Sequence, residues 1–426
     1  MLAMGTDRGA SEDASAQPRH VWIINHFALT PDQAGGTRHF ELSKALNENG
    51  FQVTIIGAGQ QHISDRNHVP TGQKWAKEEI EGVAFHWMKT PSASARIIRR
   101  VWNNVVFAAR TLCRQGLKAQ PKPDYVVGTS PDLISALSAY VVAQRMKVPF
   151  VLEIRDIWPL SAVQIGQFST YHPYIVLLGF LERFLYRNAD WIVTLLPNAH
   201  RHIVPNGGNA EKITWIPNGS GIASRPIAEC QAQCENEKFT LMYAGTHGNA
   251  NNLESLLRAA RILKDRGLAE NLAIRLIGNG PSKENLQTMA EEWALDFITF
   301  EPAVSKVMVQ QRLSEADAFC LIFHGHEIYN FGVSANKLYD YLSVGRPIIL
   351  ALNGEYNPVA DARAGISVLA DDDQALADAI AEMTRTPEDE RRAMGKRARA
   401  YALKHHSMDG LGQKFANVLN NIQPPN

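Results

Sequence analysis

Residues 239–257 read FTLMYAGTHGNANNLESLL: a run of β-favouring residues, a polar loop with two glycines, and the start of an amphipathic segment. A strand, a loop and a helix in this order form the repeating unit of a parallel sheet. The unit recurs with strands VWIIN, FQVTIIG, DYVVGTS, PFVLEIRD and DWIVTLL, then ITWIPNG, AIRLIGNGPS, FITF, DAFCLIF and RPIILAL. The sequence therefore predicts an α/β fold with two parallel sheets.

The length of 426 residues predicts two domains, because one hydrophobic core rarely serves so long a chain. The polar stretch NAHRHIVPNGGNAEK at residues 198–212 places the boundary near residue 205. We therefore expect an N-terminal domain over residues 20–205 and a C-terminal domain over residues 206–402. Residues 1–19 are polar and rich in small residues, which is typical of a disordered leader.

Composition limits the class of protein. Lys plus Arg equals Asp plus Glu at 43 each, so no net field favours nucleic-acid binding. The four cysteines, with only Cys230 and Cys234 close together, form no zinc-binding pattern. No apolar run approaches the roughly 18 residues of a membrane span. These features favour a cytoplasmic protein with reduced thiols and no resident metal.

Glycine-containing loops follow several predicted strands, where open parallel sheets bind ligands. One loop has Gly35 and Gly36 before a helix, so backbone N–H groups there could meet a phosphate. Two further loops carry the candidate donor-binding residues Gly245, Thr246 and His247, and Gly278 and Gly280. None has the three glycines of a dinucleotide fingerprint, which disfavours NAD. Each glycine pair alone also suits an ordinary turn.

The stretch FGVSANKLYDYLSVGRP at residues 331–347 is more specific. With Ser334 as the N-cap of a helix, Asn336 and Asp340 lie one turn apart on one face. Lys337 could then neutralise a diphosphate, while Asp340 accepts hydrogen bonds from a ribose diol. The alternative is an ordinary amphipathic helix with a solvated lysine and aspartate.

A charged pair, Arg155 and Asp156, ends the predicted strand in VLEIRDIWP. This position puts both side chains at the carboxyl edge of the first sheet, on the side where ligands bind. A structural ion pair between them is the alternative.

Taken in order, AGGTRHFELSKALNENGFQVTIIG, EIRDIWP, IPNGSG, YAGTHGNANNLESLL, LIGNGP and VSANKLYDYLSVGRPII resemble retaining GT-B glycosyltransferases of family four. The L-fucosamine transferase-like branch of bacterial surface-polysaccharide enzymes is the most similar. The resemblance implies two Rossmann-like domains facing a cleft, with the donor in the C-terminal domain and the acceptor in the N-terminal one. It also implies a final helix, about residues 403–426, that crosses back to the first domain.

The resemblance also assigns roles to residues. Asp340 would hold the donor ribose, Gly36 would meet the diphosphate, and Arg155 and Asp156 would belong to an acceptor-side polar cluster. Together with Lys337, the last two are the candidate catalytic residues. The family carries a second acid eight residues before the ribose-binding one, where this chain has Gly332.

A second departure concerns positive charge. THGNANN replaces the arginine and lysine that many members carry after the strand-ending glycine, and Lys337 could supply the missing charge. The expected reaction moves a sugar, an N-acetyl aminosugar by preference, from a UDP-sugar to an undecaprenyl-diphosphate-linked saccharide of O-antigen or capsule. No cofactor or metal is expected: DDD at residues 371–373 predicts a helix cap instead. A UDP-sugar epimerase and a catalytically silent nucleotide-sugar-binding subunit remain alternatives.

Two segments carry an apolar surface: SARIIRRVWNNVVFAARTLCRQGLK at residues 94–118 and YHPYIVLLGFLERFLYRNA at residues 171–189. The first interleaves arginines with large apolar residues, which is typical of a helix that lies on an anionic bilayer. Both segments equally suit helices packed within the N-terminal domain. A bilayer contact would locate the protein at the inner face of the cytoplasmic membrane.

Overall fold

The computed structural model describes residues 18–33, 35–60, 66–92, 97–221, 238–304 and 306–423. Most of the predicted leader, together with Cys230 and Cys234, lies outside these residues; strand β1 already begins at Arg19. The strands of the first sheet are β1 (Arg19–Ile24), β2 (Phe51–Ala58), β3 (Trp75–Ile80), β4 (Val83–Met88), β5 (Tyr125–Thr129), β6 (Phe150–Ile154), β7 (Trp191–Thr194) and β8 (Ile213–Trp215). Those of the second are β9 (Phe239–Ala244), β10 (Leu272–Ile277), β11 (Ile298–Glu301), β12 (Ala318–Ile322), β13 (Ile348–Ala351) and β14 (Gly365–Val368).

Helices join these strands. Those before β9 are α1 (Arg38–Glu48), α2 (Ile97–Leu112), α3 (Leu133–Met146), α4 (Leu160–Gln164), α5 (Pro173–Asn188) and α6 (His200–Ile203). Those after β9 are α7 (Leu253–Asp265), α8 (Lys283–Glu292), α9 (Lys306–Ser314), α10 (Asn336–Val344), α11 (Pro358–Asp361), α12 (Asp373–Arg385), α13 (Glu388–His406) and α14 (Met408–Asn421). The strand orders are β3-β4-β2-β1-β5-β6-β7-β8 and β11-β10-β9-β12-β13-β14. The predicted α/β fold with two sheets is confirmed.

A β-hairpin at the edge of the first sheet was not predicted. Strands β3 and β4 pair antiparallel, whereas the other described pairs of both sheets are parallel. The connecting residues Glu81 and Gly82 have φ of 47° and 77°. Positive φ at both positions matches the turn that joins closely spaced antiparallel strands. The Glu-Gly pair between two alternating runs was therefore the available signal.

Strand β8 belongs to the first sheet. It pairs parallel with β7, Ile192 opposite Ile213. The prediction that ITWIPNG opens the second sheet is therefore wrong, and the first sheet continues past residue 205. The glycine-rich stretch before β8 is a connection within the first domain, because it bridges two neighbouring strands of one sheet.

The two faces of the first sheet carry different helices. Helices α1 and α14 pack together on one face, and a Cβ at Gly412 would collide with Ala45. Phe415 and Leu419 of α14 join the core of the first domain, so the chain crosses back after the second domain. Helices α2 and α5 flank α3 on the other face.

Other sequence features take simple structural roles. Asp372 caps α12 by accepting a hydrogen bond from the Ala375 N–H at 2.9 Å, which confirms the predicted helix cap. Cys113 and Cys320 are free thiols, the first exposed and the second buried. No described helix is both long enough and apolar enough to span a membrane.

Candidate active site

Two loops and one helix meet at the carboxyl edge of the second sheet. Strands β9 and β10 are neighbours, so the loops that follow them touch: the Gly245 N–H donates to the Ile277 carbonyl at 2.9 Å. Likewise the His247 N–H donates to the Asn279 carbonyl at 3.0 Å. A Cβ at Gly280 would lie 2.6 Å from the carbonyl carbon of His247, so only glycine permits this close approach. Gly278 and Gly280 are therefore needed for the two loops to pack closely against each other.

Gly278 is restricted in the same way. Its φ is +151°, and a Cβ there would collide with the carbonyl oxygen of Gly245. Thr246 follows Gly245 in the loop after β9, and its carbonyl accepts hydrogen bonds from the Tyr243 hydroxyl at 2.9 Å and from Asn251 Nδ2 at 2.8 Å. These contacts fix the path of the backbone over residues 245–251.

His247 is an unsatisfied polar group in this pocket. Its side chain is fully buried, and neither ring nitrogen has a hydrogen-bond partner within the described residues. Burial lowers its pKa to about 4, and the charges of Lys283 and Lys337 act in the same direction. The imidazole is therefore neutral at neutral pH. Buried polar groups without partners are rare in folded proteins and often mark functional sites.

Lys337 points into the same loop. Its Nζ donates to the Tyr243 hydroxyl at 2.7 Å and to Asn251 Oδ1 at 2.5 Å, and lies 4.6 Å from the centre of the Tyr243 ring. Among the described residues it forms no salt bridge. Burial lowers the pKa of Lys337 to about 7. The helix thus places an ammonium group beside the THGNANN loop, where the sequence lacks its own basic residue.

The start of α10 differs from the prediction. The helix begins at Asn336 with Ala335 at the N-cap and no side-chain cap, so the assignment of Ser334 as N-cap is wrong. Ser334 Oγ instead accepts the Asn218 N–H at 3.0 Å, and the Ser334 carbonyl accepts Asn218 Nδ2 at 2.5 Å. Ser334 therefore fastens the helix to the segment that leaves the first domain.

Asp340 is buried one turn into α10. Its Oδ1 accepts a hydrogen bond from the Ser220 hydroxyl at 2.8 Å. One turn earlier, the Asn336 side chain packs directly on Gly36 of the first domain, and any Cβ at Gly36 would collide with it. Gly35 has φ of +135°, which favours glycine. The first glycine loop and α10 thus meet across the two domains.

Gly332 occupies the position of the missing acid. Its φ is +110°, and a Cβ there would lie 2.8 Å from Pro197 Cγ of the first domain. Next to this contact, the Asn198 N–H donates to the Phe331 carbonyl at 3.0 Å. A glutamate at residue 332 could not fit, because the first domain packs against the backbone there.

On the first domain, Arg155 and Asp156 follow β6 but form no ion pair with each other. Asp156 Oδ1 accepts the Ile157 N–H at 2.9 Å and the Ser161 hydroxyl at 2.6 Å. Burial raises the pKa of Asp156. The Arg155 backbone N–H donates to Ser130 Oγ at 2.8 Å, whereas its Nε has no hydrogen-bond partner among the described residues. The alternative of a structural ion pair is therefore wrong.

A buried cluster around Glu153 was missed from the sequence. Its carboxylate accepts Arg38 Nε at 3.0 Å, His39 Nε2 at 2.6 Å and the Thr129 hydroxyl at 3.0 Å. Burial opposes ionisation of Glu153, but the charges of His39 and Arg38 outweigh it and hold its pKa below the usual range. The only signal was a polar residue inside a strand that otherwise reads as buried.

Arg38 also joins the cluster to the interdomain segment. It donates to the Ile216 carbonyl at 3.0 Å and to the Pro217 carbonyl at 2.6 Å. The next residue, Asn218, is the one that binds Ser334 beside α10. A continuous chain of hydrogen bonds therefore runs from the carboxyl edge of the first sheet to the helix that carries Lys337 and Asp340.

The chain matches two protein-family models. Residues 34–219 match a glycosyl transferase 4-like domain, and residues 238–386 match the glycosyl transferases group 1 domain. It is 24% identical over 323 residues to a putative colanic acid biosynthesis glycosyl transferase, WcaI, of Escherichia coli, covering 71% of this chain and 75% of the relative.

Solved structures share the fold. A sucrose-phosphate synthase from Thermosynechococcus elongatus superimposes with a TM-score of 0.74 at 16% identity, over 94% of this chain and 98% of that one. Anabaena HepE in complex with UDP and glucose gives 0.64 at 13% identity, over 95% and 100%. Both domains match this architecture. The chain therefore has the GT-B fold of two Rossmann-like domains, in which a glycosyl transferase 4-like domain is followed by a glycosyl transferases group 1 domain.

Proposed function

We propose that this glycosyltransferase moves an N-acetyl aminosugar from a UDP-sugar to a lipid-diphosphate-linked saccharide, in bacterial surface-polysaccharide synthesis such as that of O-antigen or capsule. The observation that carries the donor half is the placement of Lys337 beside the THGNANN loop, with Asp340 one turn further along α10. The name of WcaI supports the polysaccharide pathway. The UDP complex of HepE supports the nucleotide.

The donor pocket combines a cation, backbone donors and a carboxylate. Lys337 neutralises the diphosphate. The glycine loops allow the diphosphate to approach backbone N–H groups. Asp340 binds the ribose as a carboxylate acceptor, and a ribose hydroxyl would share or displace the hydrogen bond that its Oδ1 accepts from the Ser220 hydroxyl. His247 contributes a neutral imidazole whose nitrogens are unsatisfied within the described residues.

The leaving diphosphate is the centre of the mechanism. Its developing negative charge is stabilised by the ammonium group of Lys337, which the protein holds in place through Tyr243 and Asn251 before the donor arrives. A diphosphate oxygen accepts the acceptor's proton as the acceptor attacks the same face of the sugar, so the anomeric configuration is retained. Gly36 and Asn336 already touch across the two domains, and closure of the domains around a bound donor would exclude water from the reacting atoms. With Lys337 supplying the charge, the mechanism is metal-independent.

The acceptor half rests on an apolar surface of the first domain. Exposed large residues on α2 include Ile98 at 83% and Trp102 at 58%, and on α5 Phe180 at 64%. Arg99 and Arg100 are exposed beside them. Both helices run away from the carboxyl edge of the sheet, so the apolar residues begin beside the cleft. We infer a peripheral contact with the anionic inner face of the cytoplasmic membrane, where a lipid-linked acceptor resides.

A thermal-unfolding titration tests the donor half. UDP, GDP, ADP and NAD are added to the wild type, to Asp340→Ala, and to a control, Asp378→Ala, whose exposed carboxylate pairs with Arg266. A ligand at about 100 times its dissociation constant stabilises a protein by about 2.7 kcal/mol. We expect UDP to stabilise the wild type and the control but not Asp340→Ala. Stabilisation by NAD alone, or by no nucleotide, would contradict the proposal.

A further inference from the structure

Arg155 lies at the carboxyl edge of the first sheet, and none of the described residues accepts a hydrogen bond from its guanidinium. Its guanidinium forms no ion pair or side-chain hydrogen bond in the described part of the chain, although the residue is only partly exposed. Burial lowers the pKa of Arg155, which means that its surroundings disfavour the charge. Leaving a desolvated charge unpaired is costly, so such groups usually have a ligand or a function.

Glu153 and Asp156 attract the charge of Arg155 and raise its pKa against the effect of burial, but neither forms an ion pair with it. Glu153 is taken by Arg38, His39 and Thr129. Asp156 directs Oδ1 to Ile157 and Ser161, and burial disfavours its ionised form. Among the described residues, neither carboxylate therefore accepts a hydrogen bond from the Arg155 guanidinium.

Arg155 lies in the segment that connects β6 to α4. Its backbone is fixed by Ser130 at 2.8 Å, and the chain then enters α4. At the end of α4, Gln164 Oε1 accepts the Ile328 N–H of the second domain at 2.7 Å. Arg155 thus begins a segment, at the carboxyl edge of the first sheet, whose far end contacts the second domain.

We propose that Arg155 binds a phosphoryl group of a substrate in the cleft. This inference rests on the proposed function, because both of its substrates carry their negative charge on phosphates: the donor's diphosphate and the acceptor's lipid diphosphate. A guanidinium with free N–H groups matches the geometry of phosphate oxygens. Either phosphate would supply the direct hydrogen-bond acceptor that Glu153 and Asp156 do not provide.

Calorimetric titrations with four probes test this proposal and separate the two sources. UDP is compared with uridine, and geranyl diphosphate, a short prenyl diphosphate, with geraniol. The variants are Arg155→Ala, Arg155→Lys and a control, Arg145→Ala, whose exposed guanidinium donates to a helix-end carbonyl far from the cleft. Melting temperatures of all variants verify folding. Guanidinium chloride at non-denaturing concentration is then added to Arg155→Ala to restore the lost group.

We expect Arg155→Ala to bind one diphosphate about 10- to 100-fold more weakly, the range for a hydrogen bond to a charged group. Arg155→Lys and added guanidinium should recover part of that loss. Weaker UDP binding identifies the donor as the source of the phosphate, and weaker geranyl diphosphate binding identifies the acceptor.

Unchanged binding of both diphosphates by Arg155→Ala would overturn the proposal. An equal loss for uridine and UDP, or for geraniol and its diphosphate, would also overturn it, since that pattern indicates a general structural role. Failure of the wild type to bind UDP is a separate result: it would contradict the proposed function, while the geranyl diphosphate comparison still tests Arg155.

Discussion

Lys337 makes donor binding depend on pH. Its pKa is lowered to about 7 by burial, and the proposed function requires its charged form. If only the protonated form binds, the apparent dissociation constant is divided by the protonated fraction, about 90% at pH 6 and about 3% at pH 8.5. The affinity for a UDP-sugar should therefore fall about 30-fold over this range.

The assay is calorimetric titration with UDP-N-acetylglucosamine, whose diphosphate has no terminal phosphate to titrate near neutral pH. UDP itself is unsuitable because its terminal phosphate has a second pKa of about 6. The matched variants are Lys337→Met, which should bind weakly at every pH, and Lys337→Arg, whose charge persists and whose affinity should vary little.

The stability of the free protein should rise with pH, whereas the affinity for the donor falls. Because the pKa of Lys337 is below its unfolded value, the unfolded chain binds more protons between pH 7 and about 10. The contribution of Lys337 to stability therefore rises with pH, while donor affinity falls. A wild-type affinity that stays flat from pH 6 to 8.5, parallel to that of Lys337→Met, would refute the assignment of Lys337 to the diphosphate.

Three further predictions concern stability and the apolar surface. Glu153→Gln should lower the free energy of unfolding in urea by about 3–5 kcal/mol, since it removes the carboxylate that pairs with the buried Arg38 and binds His39. The exposed acid in Glu81→Gln should cost under about 1 kcal/mol. Gly332→Ala should lower the free energy of unfolding by about 1–3 kcal/mol, because Gly332 has a positive φ and a proline of the first domain lies beside it. The control Gly179→Ala, which has open space around its Cβ position, should not lower the stability of the protein. Phe180→Asp should weaken sedimentation with anionic vesicles about tenfold or more; undiminished sedimentation would contradict the bilayer contact.

Local patterns predicted the repeating strands, the helix that carries Lys337 and the cap at Asp372. Each of these depends on residues close in sequence, such as the polar side chain just before α12. The cap at Ser334 was predicted wrongly by the same logic, because a distant partner, Asn218, claims that side chain. Tertiary contacts thus override a local preference.

The features that the sequence did not predict depend on contacts between residues far apart in the chain. Strand β8 was assigned to the wrong sheet because a three-residue strand has no pattern that identifies its partner. The pairing of Arg38 with Glu153 spans 115 residues, and neither residue has a distinctive spacing. The lack of a hydrogen-bond partner for Arg155 Nε among the described residues likewise depends on which groups the neighbouring carboxylates bind. Such features follow from the three-dimensional arrangement alone.

The most direct test of the central claim is the fate of the donor. The protein is incubated with a panel of UDP-N-acetyl aminosugars, with and without a lipid-diphosphate-linked saccharide, and the anomeric protons are followed by NMR. We predict UDP release only when the acceptor is present, with a product that keeps the donor's anomeric configuration. Conversion of a UDP-sugar into another UDP-sugar without acceptor, or binding without any turnover, would contradict the account.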